Sequence, residues 1–252
     1  MYVPRPSDVD LQKKYEFLTA VMPPPKEVAP TPIDRLRAEQ LFNQVSKALR
    51  NKPGSVLDFG GGDGRMLTVF AERGWDCSVI DFTPVVFPKV RWLGSSLSAI
   101  DASKKFDLII CSHVLEHLFD PLETLRELAQ HLQAGSLLYV EVPLEVWKGP
   151  PKLAEPVTHV NFFTPGSLQN LLNLAGFRAL TRIGWAYHSV AGKICVIRAW
   201  ARLSDKPCKA KILDVYHYLS PGWIMRLRLL LTCPHRLSGL LRRLVRWPKV
   251  SR

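Results

Sequence analysis

The amino-acid sequence predicts a doubly wound α/β domain built on a mostly parallel sheet. Three observations predict it. Short apolar runs alternate with helical patterns along most of the chain. Several runs are apolar at successive positions, as strands covered on both faces are. One of them leads straight into a glycine cluster that opens a helix. At 252 residues, 47% of them apolar, the chain can bury the core of one such domain and carry a modest appendage.

Residues 1–30 include Pro23, Pro24 and Pro25, show little periodicity, and read as an N-terminal arm. Residues 31–205 are expected to form the domain. A helix starts at Pro32 behind the cap residue Thr31, with Ile33, Leu36, Leu41, Val45 and Leu49 as its apolar face. It should stop near Lys52-Pro53-Gly54. Strands follow at residues 55–59 and 76–80, with a helix over 64–73 between them. Only eight residues, two of them proline, separate Asp81 from the next apolar group, Val90-Arg91-Trp92. Residues 106–111 and 136–142 read as buried strands, and 114–133 as helical material divided by Pro121. An irregular stretch over 143–165 precedes a helix over 166–175. Strands over 178–186 and 194–202, joined without a helix, should put an antiparallel member at one edge.

The net charge of +12 is unevenly placed. Residues 201–252 hold 12 Lys/Arg against 2 acidic residues, so the body is nearly neutral and the tail is basic. That asymmetry weakens the inference from overall charge to nucleic acid. Five scattered cysteines without a CxxC pair argue against a disulfide framework and a structural zinc site. Residues 1–10 lack the apolar core of a signal peptide, and no run approaches the ~20 apolar residues of a spanning helix. A cytoplasmic setting is the expectation.

The segment Val56-Leu57-Asp58-Phe59-Gly60-Gly61-Gly62-Asp63-Gly64-Arg65 carries the most chemistry. Glycines let the chain turn sharply and let a ligand approach the main chain, and the helix N-terminus behind them offers free N–H groups. Asp81, at the end of the next strand, can accept both hydroxyls of a ribose. A dinucleotide loop shares these features. Asp58, however, would repel a pyrophosphate and suits an amino-acid ammonium, and Asp63 points the same way. S-adenosylmethionine, with an ammonium, a sulfonium and no phosphate, matches better than a nicotinamide cofactor.

Three blocks, VLDFGGGDG, FDLIICSHVLEHLFDPLETLRELAQHLQAGSLLYVEVP and HVNFFTPGSLQNLLNLAGF, resemble class I S-adenosylmethionine-dependent methyltransferases of the small-molecule (type 11/12/23) families. The resemblance covers about half the chain. It implies a Rossmann-like, seven-stranded sheet with an antiparallel last strand. It also implies that Asp58, Gly60, Gly62 and Gly64 line the methionine end of the cofactor, with Asp81 on the ribose. Ser96 and Leu97 would lie beside adenine, and Ser112 and His113 beside the donor. The family usually has a helix where this chain has residues 82–89, so this sheet edge is expected to be trimmed.

His113, Glu116 and His117 follow the fourth apolar strand at helical spacing, and His159 lies ahead of Asn161-Phe162-Phe163-Thr164-Pro165. Three readings stay open. His113 or His159 is a general base for an acceptor hydroxyl; the four residues hold a divalent metal; or Glu116 and His117 are structural. The long stretch over 143–165 reads as a lid that selects the acceptor. In the tail, Leu237, Leu240, Leu241, Leu244 and Trp247 share one helical face amid arginines. Residues 222–249 therefore suit an anionic membrane surface at the inner face of a membrane, with packing on protein or binding to RNA as alternatives. The expected reaction is methyl transfer to a hydroxyl, less readily to carbon or nitrogen, of a small molecule, a sugar or a lipid-linked glycan. An RNA methyltransferase or a non-catalytic cofactor-binding partner are the alternatives.

Overall fold

The computed structural model describes residues 31–49, 52–82, 84, 86–145, 159–188 and 192–204, with residues 9, 10 and 13. The chain divides into two compact units, Met1–Lys211 and Ile212–Arg252. The second unit, with the basic segment 222–249, lies outside the described residues, as do most of the arm and residues 146–158 of the expected lid.

Helix α1 spans Pro32–Ser46 and continues as one 3-10 turn to Leu49. Thr31 caps it reciprocally with Asp34, and Pro32 occupies the first turn, where its missing N–H costs nothing. The buried face differs from the expected one. Ala38, Leu41 and Val45 point inward, while Ile33 and Leu36 are exposed. Asp34 takes the inward position of the first turn because the cap and Arg65 satisfy its carboxylate.

Strand β1 (Ser55–Phe59) runs into the glycines, and a 3-10 turn (Arg65–Leu67) and a short α2 (Thr68–Glu72) replace the single helix expected over 64–73. Strands β2 (Asp76–Ile80) and β3 (Val90–Gly94) follow. The edge strand β3 is present despite its short lead, and the described residues between β2 and β3 carry no helix. Strand β4 (Phe106–Ser112) leads through a turn at 115–117 to α3 (Pro121–Gln130). Of the helical material expected over 114–133, residues 121–130 form α3 and residues 114–120 do not form a helix. Pro121 is tolerated only in a first turn, and Asp120 caps that turn by accepting from the Leu122 and Glu123 N–H groups at 3.0 Å. Strand β5 (Leu132–Pro143) is longer than expected, with Gly135 at positive φ within it. Helix α4 (Pro165–Leu174) and the strands β6 (Phe177–His188) and β7 (Gly192–Leu203) complete the domain.

The seven strands form one sheet in the order β3-β2-β1-β4-β5-β7-β6. All neighbours are parallel until β7, which runs antiparallel to both β5 and β6. The antiparallel strand thus sits inside the sheet rather than at its edge, which β6 occupies. Pairing β7 with β5 places it there. On one face Val56, Val79, Leu108, Ile110, Leu137 and Tyr139 pack with Leu41, Val45, Leu67 and Phe70. Phe70 anchors that layer, edge-on to Phe42 and Trp75 at 5.0 and 5.6 Å between ring centres. Leu57, Ile109, Leu138 and Val140, at the alternating positions, are fully buried on the other face. No described helix is long and apolar enough to cross a membrane.

Candidate active site

The candidate residues gather at the C-terminal ends of β1, β2, β4 and β5, where open α/β sheets place their ligands. Asp58 is held in β1 between Val79 of β2 and Ile110 of β4. It is 2% exposed, and its Oδ2 has no hydrogen-bond partner among the described residues. Burial pushes its carboxyl up to about 7, with Asp81 and Asp63 adding repulsion and Arg37 opposing. The glycine loop then turns through Gly60, Gly62 and Gly64, all at positive φ. A Cβ on Gly60 would lie 2.5 Å from a Val114 methyl, whereas one on Gly62 would meet nothing within 4 Å. Gly60 is therefore a packing requirement, and the open side of the loop lies at Gly62. The Gly62 N–H donates to Asp81 Oδ2 at 2.9 Å, so the acid at the end of β2 stands directly across from the loop.

Asp63, read from the sequence as facing an ammonium, does something else. Its carboxylate grips Arg65 through Nη2 at 2.6 Å and Nε at 2.9 Å, and Arg65 reaches on to Asp34 at 3.1 Å. The pair ties the loop to α1. Ser96 and Leu97 open the 3-10 turn after β3, with Leu97 buried and Ser96 Oγ 2.8 Å from Ser98 Oγ.

The histidine–glutamate segment is a turn, so helical spacing is not what brings it together. His113 sits at φ 58°, a left-handed conformation costly for a residue with a Cβ. Its N–H donates to Glu141 O at 2.8 Å. Glu116, fully buried, places Oε1 3.2 Å from His113 Nδ1 and 3.9 Å from His117 Nε2. The rings of His117 and His159 meet edge-on with centres 4.8 Å apart, and Glu145 Oε2 lies 2.5 Å from His159 Nδ1. All four predicted residues therefore converge. Burial opposes charge on His113, but the neighbouring carboxylates of Glu116 and Glu141 outweigh it and raise the imidazole to about 9. It is an imidazolium at neutral pH, which disfavours it as a proton acceptor.

Sequence reasoning missed the polar network beneath this cluster. Glu141, in β5, accepts from Arg198 Nε at 2.8 Å and from Tyr139 Oη at 3.0 Å, with Arg37 Nη2 at 3.5 Å and His113 Nε2 at 3.5 Å. Burial opposes ionisation of Glu141, but His113, Arg198 and Arg37 outweigh it and hold the carboxyl down at about 2. Arg37 also donates to Ser112 Oγ at 3.1 Å. Arg37, Gln40 and Gln44 form one polar stripe of α1; Gln40 donates to Trp185 O, and Gln44 Oε1 lies 2.9 Å from Tyr139 Oη. That stripe, and lone charges inside apolar strands, were the available signals.

Asn161 was also missed. Its Nδ2 donates to Leu115 O at 2.8 Å and Leu118 O at 2.6 Å, and the Val160 and Asn161 N–H groups donate to Glu116 O. These bonds fasten the His159 segment to the turn. Replacing Asn161 by alanine is expected to cost ~2 kcal/mol of stability, about 1 kcal/mol per lost hydrogen bond. Urea denaturation of both proteins measures this; an unchanged midpoint would show that the turn holds without it.

A family model described as a methyltransferase domain matches residues 33–182. A ubiquinone biosynthesis O-methyltransferase of Rickettsia conorii is 25% identical over 113 residues, covering 40% of this chain and 37% of that protein. A trans-aconitate 2-methyltransferase of Azoarcus sp. is 27% identical over 158 residues, covering 58% of this chain and 59% of that protein. The chain thus spans between about two fifths and three fifths of the length of these two relatives. Among solved structures, the fold is similar to Burkholderia thailandensis 1,6-didemethyltoxoflavin-N1-methyltransferase, crystallised with S-adenosylhomocysteine. The TM-score is 0.54 at 22% identity, covering 78% of this chain and 87% of that one.

Proposed function

Because the chain belongs to the methyltransferase domain family, with residues 33–182 matched, we propose that it transfers a methyl group from S-adenosylmethionine to a hydroxyl of a small molecule. The observation that carries this reading is Asp58, whose buried Oδ2 lacks a partner at the mouth of a glycine loop open at Gly62. A buried carboxylate in that state calls for a cation, and an amino-acid ammonium is one that such a loop admits. The residues present therefore fit S-adenosylmethionine.

Asp58 takes the ammonium, Asp81 the ribose hydroxyls, and the backbone at Gly60, Gly62 and Gly64 the closest approach. Ser96 and Leu97 flank the adenine, with Ser112 and His113 toward the methyl group. S-adenosylmethionine, when bound, supplies a methyl group already activated by a sulfonium, so the protein's task is in-line positioning and exclusion of water. His113, charged at neutral pH, orients bound groups. The acceptor hydroxyl comes to the Glu116–His117–His159 cluster. The printed name of the Rickettsia relative, an O-methyltransferase, supports oxygen as the acceptor atom. The basic, leucine-rich segment 222–249 suits an anionic membrane surface, where a lipid-linked acceptor would be met.

Calorimetric titration with S-adenosylhomocysteine tests the reading. Micromolar binding by the wild type, abolished in Asp81→Ala, is the expected result. A folded wild type that binds none would overturn it.

A further inference from the structure

We propose that Glu116, His117 and His159 bind one divalent cation of the kind that accepts imidazole and carboxylate ligands, such as Zn2+ or Co2+. Each residue offers one ligand atom, and these atoms lie within 4.8 Å of one another. Bonds of ~2 Å to a common ion require these atoms to close to about 3.4 Å of one another, a contraction that movement of the part-exposed His117 side chain would supply.

Proximity alone would be weak, and two further features point to a ligand. The first is Glu116 itself. It is 0% exposed, and neither carboxylate oxygen makes a hydrogen bond. Two imidazoles crowd Oε1 at 3.2 and 3.9 Å, and Oε2 is left with no donor among the described residues. His113, beside Oε1, offsets part of the cost of this buried anion, and a cation at Oε2 completes it. The second is Glu145. Its contact with His159 Nδ1 at 2.5 Å fixes the ring and leaves Nε2 as the nitrogen with a lone pair to give. A carboxylate behind a histidine is the arrangement that orients a metal-binding imidazole and raises its basicity.

The frame around the three ligands is already built. Glu116 O accepts from the Val160 and Asn161 N–H groups at 2.8 and 3.0 Å, and Asn161 bridges Leu115 and Leu118. The His159 segment is thereby locked to a turn more than forty residues earlier. Three protein ligands leave at least one position open, as catalytic sites do. The role of that position rests on the hydroxyl-methylation reading. An acceptor hydroxyl drawn to the cation loses its proton to solvent at lower pH than a free hydroxyl does. The oxygen's electron pair forms the new O–C bond, and the C–S pair stays on sulfur. No side chain need act as base.

The test uses the full chain without a polyhistidine tag, stripped with a chelator and titrated with Co2+. Calorimetry gives stoichiometry, and the visible ligand-field spectrum reports coordination. One saturable site is expected. Glu145→Gln should weaken it by ~10–100-fold, and Glu116→Gln or His117→Gln by more. Asp58→Asn should bind Co2+ like the wild type while losing S-adenosylhomocysteine, so failure of the cation site and failure of the cofactor reading are told apart. No saturable binding by the folded chain overturns the proposal, and so does binding that persists in His117→Gln, whose part-exposed side chain makes that variant the safer one to fold.

Discussion

Asp58→Asn is expected to weaken S-adenosylhomocysteine binding at least ~30-fold while making the ligand-free protein more stable at pH 8. Both effects come from one buried carboxyl held up at about 7. In the unfolded chain this group ionises near 3.8, so between about pH 4 and pH 7 the folded state binds the extra proton. Stability therefore falls as pH rises through that window and is flat above it. The accumulated cost above pH 7 is roughly 4 kcal/mol. Asparagine removes the ionisation, so its gain should be largest at pH 8 and small near pH 4. Denaturant melts at pH 5 and pH 8 decide it, and an equal gain at both would sink the account. Wild-type affinity for the ligand should rise by up to ~10-fold per pH unit below pH 7 and then level off, a slope absent from the asparagine variant.

The other large effect is expected at Arg198. Replacing it by methionine should destabilise the fold by ~3–5 kcal/mol, because Glu141 stays buried and charged without its closest cation. The change also deletes the donor to Trp185 O. Adding Glu141→Gln should recover much of the loss, since the uncompensated charge is then gone. Chemical denaturation of the two single variants and the double variant measures the coupling. Strict additivity would mean that the 2.8 Å contact contributes no net energy.

What was legible in the sequence is what local chemistry specifies. The glycines, Asp58 and Asp81 belong to one strand–turn–helix–strand unit, whose alternation is a local pattern. The caps at Thr31 and Thr164 act within four residues. Asp63 was misread because its partner Arg65 lies two residues on and the loop's geometry, not its composition, decides where a side chain points. The segment from His113 to His117 was misread because helical spacing ignores the demand of Pro121 and its cap Asp120. Glu141 and Arg198 face each other only through the register of β5 against β7, a pairing that no local pattern encodes. Their one trace is a charge inside an otherwise apolar strand.

The place of β7 between β5 and β6 also bears on the order in which the chain can be completed. The β6–β7 hairpin is local and can form early, whereas β1 joins β4 across some fifty residues. During synthesis the glycine loop, the histidine cluster and β5 all emerge before Arg198. Until β7 arrives, the outer side of β5 is an open apolar edge, and such edges recruit other chains. A ribosome that stalls before residue 198 therefore leaves a chain that carries the glycine loop but is primed to aggregate.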